Sequence, residues 1–252
     1  MLQLLVCSDI HTYTDNLRLA ILKMDRVDAV LIAGDQEAEK DAVLAAAGSL
    51  PCYIVCGNND YYLNTDYPEE LLIDICIRTD PLRNDLPADL PADLPAGPVI
   101  GKVTELTYDS VPDTGGTETG MSKTLSRLLS IFSPSKKEEL PRGLSSPPHT
   151  FKRPENVVRR ILMTHGKEYN VPDISLLSRR AGIWDADLVI FGHTHQFRDT
   201  SSQWGKIRLV NPGCLVGDPR ASIRTYGQYE ICSFAMLRIG DHGEIDVEHF
   251  YL

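Results

Sequence analysis

The sequence predicts an α/β fold in which two mixed β-sheets form a sandwich flanked by helices. Three observations lead there. Short apolar runs alternate with helical patterns at the start of the chain, the alternation returns after residue 156, and the chain ends in strands joined by tight turns. Parallel βαβ units followed by hairpins suit a sandwich better than a single open sheet. At 252 residues the chain is long enough for one good-sized core, and it reads as a single domain over 1–252 with insertions.

Taken in order, "LQLLVCSD", "DAVLIAGD" and "LPCYIVCGN" are rich enough in Leu, Ile and Val to be strands covered on both faces. Between them, "DNLRLAILKMDR" is a helix with Asp15 expected as its N-cap, and "AEKDAVLAAAG" is a helix that stops at Gly48. "NDLPADLPADLPAG" carries proline at every fourth residue, too often for a helix interior or a central strand, and reads as a Pro-rich connector at about 81–98. "GKVTELTYDS" has strand character and is expected to pair with "NVVRRILMTHG", which makes about 109–156 a hairpin-loop insertion. Inside it, "MSKTLSRLLSIF" places Leu125, Leu128, Leu129 and Phe132 at helical spacing. "VRRILMTHG" and "ADLVIFGHTH" are strands separated by a short helix, "PDISLLSRRAG", with Asp173 or Ser175 as its cap. "KIRLVNPG" and "YEICSFAMLRIGDHGEIDVEHFYL" supply the last strands, with "GDHG" marking a hairpin.

The formal charge of −10 argues against a chain that holds nucleic acid by neutralising phosphates, so no stable nucleic-acid complex is expected. The opening "MLQLLVCSD" has neither a basic leader nor an apolar run long enough for a signal peptide or membrane helix. The six cysteines show no paired CxxC spacing and sit among apolar neighbours, as small buried thiols do. A cytoplasmic protein without membrane association is the expectation, with a homo-oligomer allowed.

The strands end in one kind of residue. "LLVCSDIH" ends at Asp9 and His11, "LIAGD" at Asp35, "IVCGN" at Asn58, "ILMTH" at His165, and "VIFGHTH" at His193 and His195. A lone Asp at a strand end is usually a cap and a lone His usually a satisfied core residue, but seven metal-competent side chains at the ligand-binding end of an α/β sheet would share one crevice. His149, His242 and His249 lie elsewhere and read as surface residues. Asp, His and Asn ligands without thiolate suit Mn, Fe, Zn, Ni or Co. Seven groups are too many for one tetrahedral ion and about right for two ions sharing a carboxylate. Such a pair, about 3.5–4 Å apart, can hold a hydroxide between them for in-line attack at phosphorus. Phosphate-ester hydrolysis follows as the expected chemistry.

In the order D-x-H, G-D, G-N-x-D, His after a strand, and G-H-x-H, this chain resembles the calcineurin-like metallophosphoesterases. The residues are Asp9-Ile10-His11, Gly34-Asp35, Gly57-Asn58-Asn59-Asp60, Thr164-His165-Gly166 and Gly192-His193-Thr194-His195, and "VNPGCLVGDPR" is similar to the small single-domain bacterial and archaeal phosphodiesterase branch. The resemblance covers roughly 1–80 and 156–252. It implies two divalent ions, manganese foremost, with one held by Asp9, His11, Asp35 and His195 and the other by Asp35, Asn58, His165 and His193. It also implies a small phosphodiester substrate, Asn58, Asn59 and His165 as catalytic residues, and Asn58, Asn59 and Arg220 as substrate contacts. Asn59 departs from the family, much of which carries there a His that protonates the leaving group, so esters with acidic leaving groups are expected to be favoured. Asp60 either orients a neighbouring ligand or caps its loop, and Arg220 is either a phosphate contact or a surface residue. The alternative to an enzyme is a non-catalytic scaffold or interaction protein on the same fold; complete ligands favour the enzyme.

Overall fold

The apolar runs at the start become strands because they are buried on both faces. The structure is a computed structural model, and it describes residues 1–63, 66–78, 97–108, 153–202, 205–217 and 232–252. Strands β1 (Leu2–Cys7), β2 (Ala29–Ile32) and β3 (Cys52–Ile54) are parallel, and β10 (Ser233–Ile239) and β11 (Ile245–Tyr251) extend the sheet antiparallel from β1, in the order β11-β10-β1-β2-β3. The second sheet contains β4 (Glu70–Arg78), β5 (Gly97–Leu106), β6 (Val157–Thr164), β7 (Leu188–Ile190), β8 (Arg198–Ser201) and β9 (Arg208–Asn211), in the order β5-β4-β6-β7-β9-β8. Its β6, β7 and β9 are parallel and the others antiparallel. Both sheets are mixed, as expected.

Period-two alternation divides each strand between two cores. Leu4, Val6 and Leu31 of the first sheet pack with Ile73, Ile161, Met163 and Ile190 of the second. Their neighbours Leu5, Cys7, Val30 and Ile32 pack with Leu17 and Ala20 of α1 (Thr14–Lys23) and Val43 of α2 (Lys40–Ala47). Leu162 and Val189 pack with Leu177 and Ala181 of α3 (Ser175–Ile183). Full burial of one such Leu, Ile or Val contributes about 1.5–3 kcal/mol. With helices outside and a partner sheet inside, polar residues are tolerated at the strand ends, and that is where the metal-competent residues lie.

Several expectations need correction. The run "ELLIDICIR" is a further strand, β4, and β5 pairs antiparallel with it rather than with β6. A strand close in sequence closes a shorter loop, and β4 lies between β5 and β6. The Pro-rich connector ends earlier than expected, because Gly97 and Pro98 already belong to β5. The rest of it, and most of the 109–156 insertion with its Leu125–Phe132 pattern, lie outside the described residues. Asp15 sits in the first turn of α1 and is not its N-cap. Its charge there still favours the positive end of the helix dipole. Asp173 accepts a hydrogen bond from the Ser175 N–H at 2.9 Å, just ahead of α3. All six cysteines are free thiols, five of them buried. No described helix is long and apolar enough to cross a membrane.

One buried ion pair joins β6 to β4 and another joins α3 to β4. The Arg160 guanidinium donates to both Asp74 oxygens, from Nε at 2.6 Å and Nη2 at 3.1 Å. Arg180 donates to Glu70, which also accepts from the Tyr169 hydroxyl. All four ion-pair side chains are buried.

Candidate metal centre

The loops that leave β1 and β2 are joined by backbone hydrogen bonds. The Asp9 N–H donates to Gly34 O, and the Ile10 and His11 N–H groups both donate to Asp35 O. Unusual backbone accompanies it at the strand ends: Asp9, His11, Asp35, His193 and His195 all have positive φ, between 45° and 70°. Asp and His tolerate that region better than most residues, yet each instance costs about 1–3 kcal/mol and such residues gather at functional sites. Two glycines let the backbone come close to the carboxylates. A Cβ on Gly57 would fall 2.1 Å from Asp35 Oδ1, and one on Gly192 would fall 2.8 Å from Asp9 Oδ2.

Six of the seven expected side chains bring their nitrogen or oxygen atoms together, and His193 joins them through its ring alone. His11 Nε2 lies 3.1 Å from His195 Nε2, and His195 Nε2 lies 3.2 Å from Asp9 Oδ1. His165 Nε2 lies 3.1 Å from Asn58 Oδ1 and 3.3 Å from Asp35 Oδ2. The His193 ring meets that of His165 edge-on with centroids 5.1 Å apart, and the His193 backbone N–H donates to Asp9 Oδ2 at 3.0 Å. Ligand atoms of Asp9, His11 and His195, of Asp9, Asp35 and His165, and of His11, Asp35 and Glu37 form three groups, each within 4.8 Å. Asp35 is within reach of both His165 and His11. Arg220 lies outside the described residues.

The donor set fits divalent cations. His165 Nδ1 lies 2.9 Å from the Ala33 carbonyl, which can only accept, so Nδ1 carries the ring proton. Nε2 then presents a lone pair to Asn58 Oδ1 and Asp35 Oδ2, which also carry lone pairs. Asp9 Oδ1 is buried without a hydrogen-bond partner, since His195 Nε2 is close but not aligned to donate. Lone pairs aimed at one another in a buried site are stable only around a cation. Two imidazole nitrogens about 2.0–2.1 Å from one ion, at angles of roughly 95–110°, stand about 3.0–3.4 Å apart, which the His11–His195 pair matches.

Without a metal, a proton takes that place. Burial pushes the His165 pKa down, but its hydrogen bond to Asp35 and the charges of Asp9 and Asp35 outweigh burial and hold it above the ordinary imidazole value. Burial likewise raises Asp35, but its hydrogen bond to His165 and that residue's charge hold it below the carboxylate range. Burial and the neighbouring His165 hold His193 below the ordinary value. Protons and metal therefore compete for His165 Nε2. Because its pKa is raised, proton competition sets in before a falling pH reaches about 6.5, the free-imidazole value, and metal affinity is expected to be lower at pH 6 than at pH 8. Calorimetric titration with Mn²⁺ across that range checks it, and a flat profile would count against imidazole-held metal.

Other residues hold the ligands in place. Asp60 accepts from the backbone N–H groups of Asp35, Gly57 and Glu37 at 2.8–2.9 Å, so it orients the Asp35 loop. Asn59 donates to Asp35 twice, from its backbone N and its Nδ2, both at 2.8 Å. The resemblance implies Asn59 as a catalytic residue and substrate contact; in the structure its amide pins Asp35. Asn211 of the "VNPG" segment donates to Gly192 O at 2.7 Å and to Thr194 Oγ1 at 3.1 Å, which shapes the "GHTH" loop. Neither Asn211 nor Glu37 was singled out from the sequence as a site residue. The "NPG" turn was the signal available for the first, and nothing local marks the second.

This fold and crevice are those of a metallophosphoesterase. The calcineurin-like phosphoesterase family model matches residues 2–197, so the chain belongs to that family, whose members bind divalent metals. The chain is similar to a conserved uncharacterized protein from Streptococcus pneumoniae, described as a predicted phosphoesterase, at 17% identity and TM-score 0.47, covering 100% of this chain and 98% of that one. It is also similar to Vacuolar Protein Sorting 29 from Cryptosporidium parvum, at 15% identity and TM-score 0.47, covering 100% and 97%. A third similar structure is an archaeal phosphodiesterase, at 16% identity and TM-score 0.43, covering 100% of both chains. No curated protein matches the chain.

Proposed function

We propose that this protein is a phosphodiesterase that hydrolyses small, nucleotide-like phosphodiesters with two divalent ions, manganese foremost. The observation that carries the reading is the set of lone pairs from Asp9, His11, His195, Asp35, Asn58 and His165 aimed into one crevice, with Asp9 Oδ1 buried and unpartnered. Asp9, His11, Asp35 and His195 would hold one ion, and Asp35, Asn58, His165 and His193 the other. Bound there, divalent ions supply Lewis acidity toward a phosphoryl oxygen and lower the pKa of water toward neutrality. The residues themselves do the positioning: Asn58 offers an amide N–H to the substrate phosphate, and Asn59 and Asp60 keep the Asp35 carboxylate from rotating out of place. Asn59 cannot protonate a leaving group. The test is turnover of an activated aryl phosphodiester alongside metal content. Two bound ions with no turnover of any aryl diester would reject the enzyme reading.

Asn59→His supplies the proton donor this position lacks. The variant gives up the Asn59 Nδ2 bond to Asp35, a loss common to all substrates, so the expected result is a ratio: alkyl diesters, which leave as poor alkoxides, should gain up to about 10²-fold relative to aryl diesters, because only the former need a proton in the transition state. Equal effects on the two classes would remove Asn59 as the determinant of leaving-group preference.

A further inference from the structure

His11 is held from behind. Its Nδ1 lies 2.8 Å from Glu37 Oε1, while its Nε2 faces His195. An ionised carboxylate only accepts, so the ring proton sits on Nδ1 and Nε2 is left to ligate. Glu37 reaches this position through a φ of +47°, uncommon for a glutamate, and its backbone N–H donates to Asp60 Oδ1 at 2.8 Å. Asp60 therefore aims both the Asp35 loop and Glu37. His165 has a weaker support in the same role, since its Nδ1 meets a neutral backbone carbonyl.

We propose that Glu37 is a positioning residue for the metal centre. It fixes the tautomer and ring orientation of His11, and its charge makes that imidazole a stronger ligand than its unsupported form. The inference rests on the two-metal reading above and adds a residue outside the family's motif positions. Carboxylates that brace a ligating histidine typically change metal affinity 10–100-fold when removed.

The experiment is Mn²⁺ titration of the full chain by calorimetry, with turnover measured in parallel, on wild type, Glu37→Ala, Glu37→Gln and Glu39→Gln. Glu39 is an exposed carboxylate two residues on, and its variant controls for the loss of one charge near the site. In Glu37→Ala one of the two binding events should weaken about 10–100-fold while the other stays within about twofold. Glu37→Gln keeps an acceptor for the Nδ1 proton and loses only the charge, so it should weaken the same event less, at least about threefold. It also keeps the length and packing of the side chain, which guards against a folding defect in the alanine variant. Glu39→Gln should match wild type. Unchanged events in both Glu37 variants, or an equal loss in Glu39→Gln, would overturn the proposal. Wild-type protein that binds no Mn²⁺ would overturn the metal reading itself, a different failure from an unaltered Glu37 variant.

Discussion

Asp35→Asn is expected to lower turnover by at least about 10³-fold and to leave fewer than two ions bound. The carboxylate is buried, sits 3.3 Å from His165 Nε2, and accepts two hydrogen bonds from Asn59. It is also close enough to His11 to share a ligand group with it. One charge therefore serves both proposed ion positions, and removing it takes several kcal/mol of transition-state stabilisation with it. Asn suits the test because it keeps the shape and tolerates the φ of 54° that Asp35 adopts. Metal content by elemental analysis and turnover of an aryl phosphodiester measure it. Two tightly bound ions with near-normal turnover in this variant would refute a shared carboxylate.

Arg180→Ala carries the largest expected loss of stability. The pair Arg180–Glu70 is 1% and 0% exposed, and Glu70 is the partner of Thr164 in the β4–β6 ladder, one residue before His165. Tyr169, just past His165, donates its hydroxyl to the same carboxylate. Removing the guanidinium leaves a charge with too few partners inside the protein, a loss of about 3–5 kcal/mol. At about 2–4 °C per kcal/mol for a chain near this size, thermal unfolding should fall by roughly 6–20 °C. The double variant Glu70→Leu with Arg180→Met should recover most of the loss, because a buried ion pair contributes little beyond a well-packed apolar pair. A single variant melting within about 2 °C of wild type would show the pair to be unimportant.

The clustering of Asp, His and Asn at the strand ends was legible from sequence because a run that breaks into those residue types stands out. The glycines beside Asn58 and His193 are required by the carboxylates that pack against them. The strands of the first sheet were legible as well, since burial on both faces leaves an unbroken apolar run with little else it can be. The sandwich followed from the order of those runs.

Pairing was less legible. Nothing local in "GKVTELTYDS" says whether it joins β4 or β6, because antiparallel partners are chosen by long-range burial and loop closure rather than by the strand's own residues. The same limit hid Arg160, Arg180, Asp74 and Glu70. A charged residue in sequence reads as surface, and only the folded chain brings each one the opposite charge that makes its burial tolerable. Glu37, Asn59 and Asp60 show it most directly. Their residue types fit many roles, and what each does follows from the group it meets across the crevice: a His11 ring nitrogen for Glu37, the Asp35 carboxylate for Asn59, and three backbone N–H groups for Asp60. Residue type limits which bonds a side chain can make, but the partner is supplied by segments distant in sequence, and only the packed chain selects it.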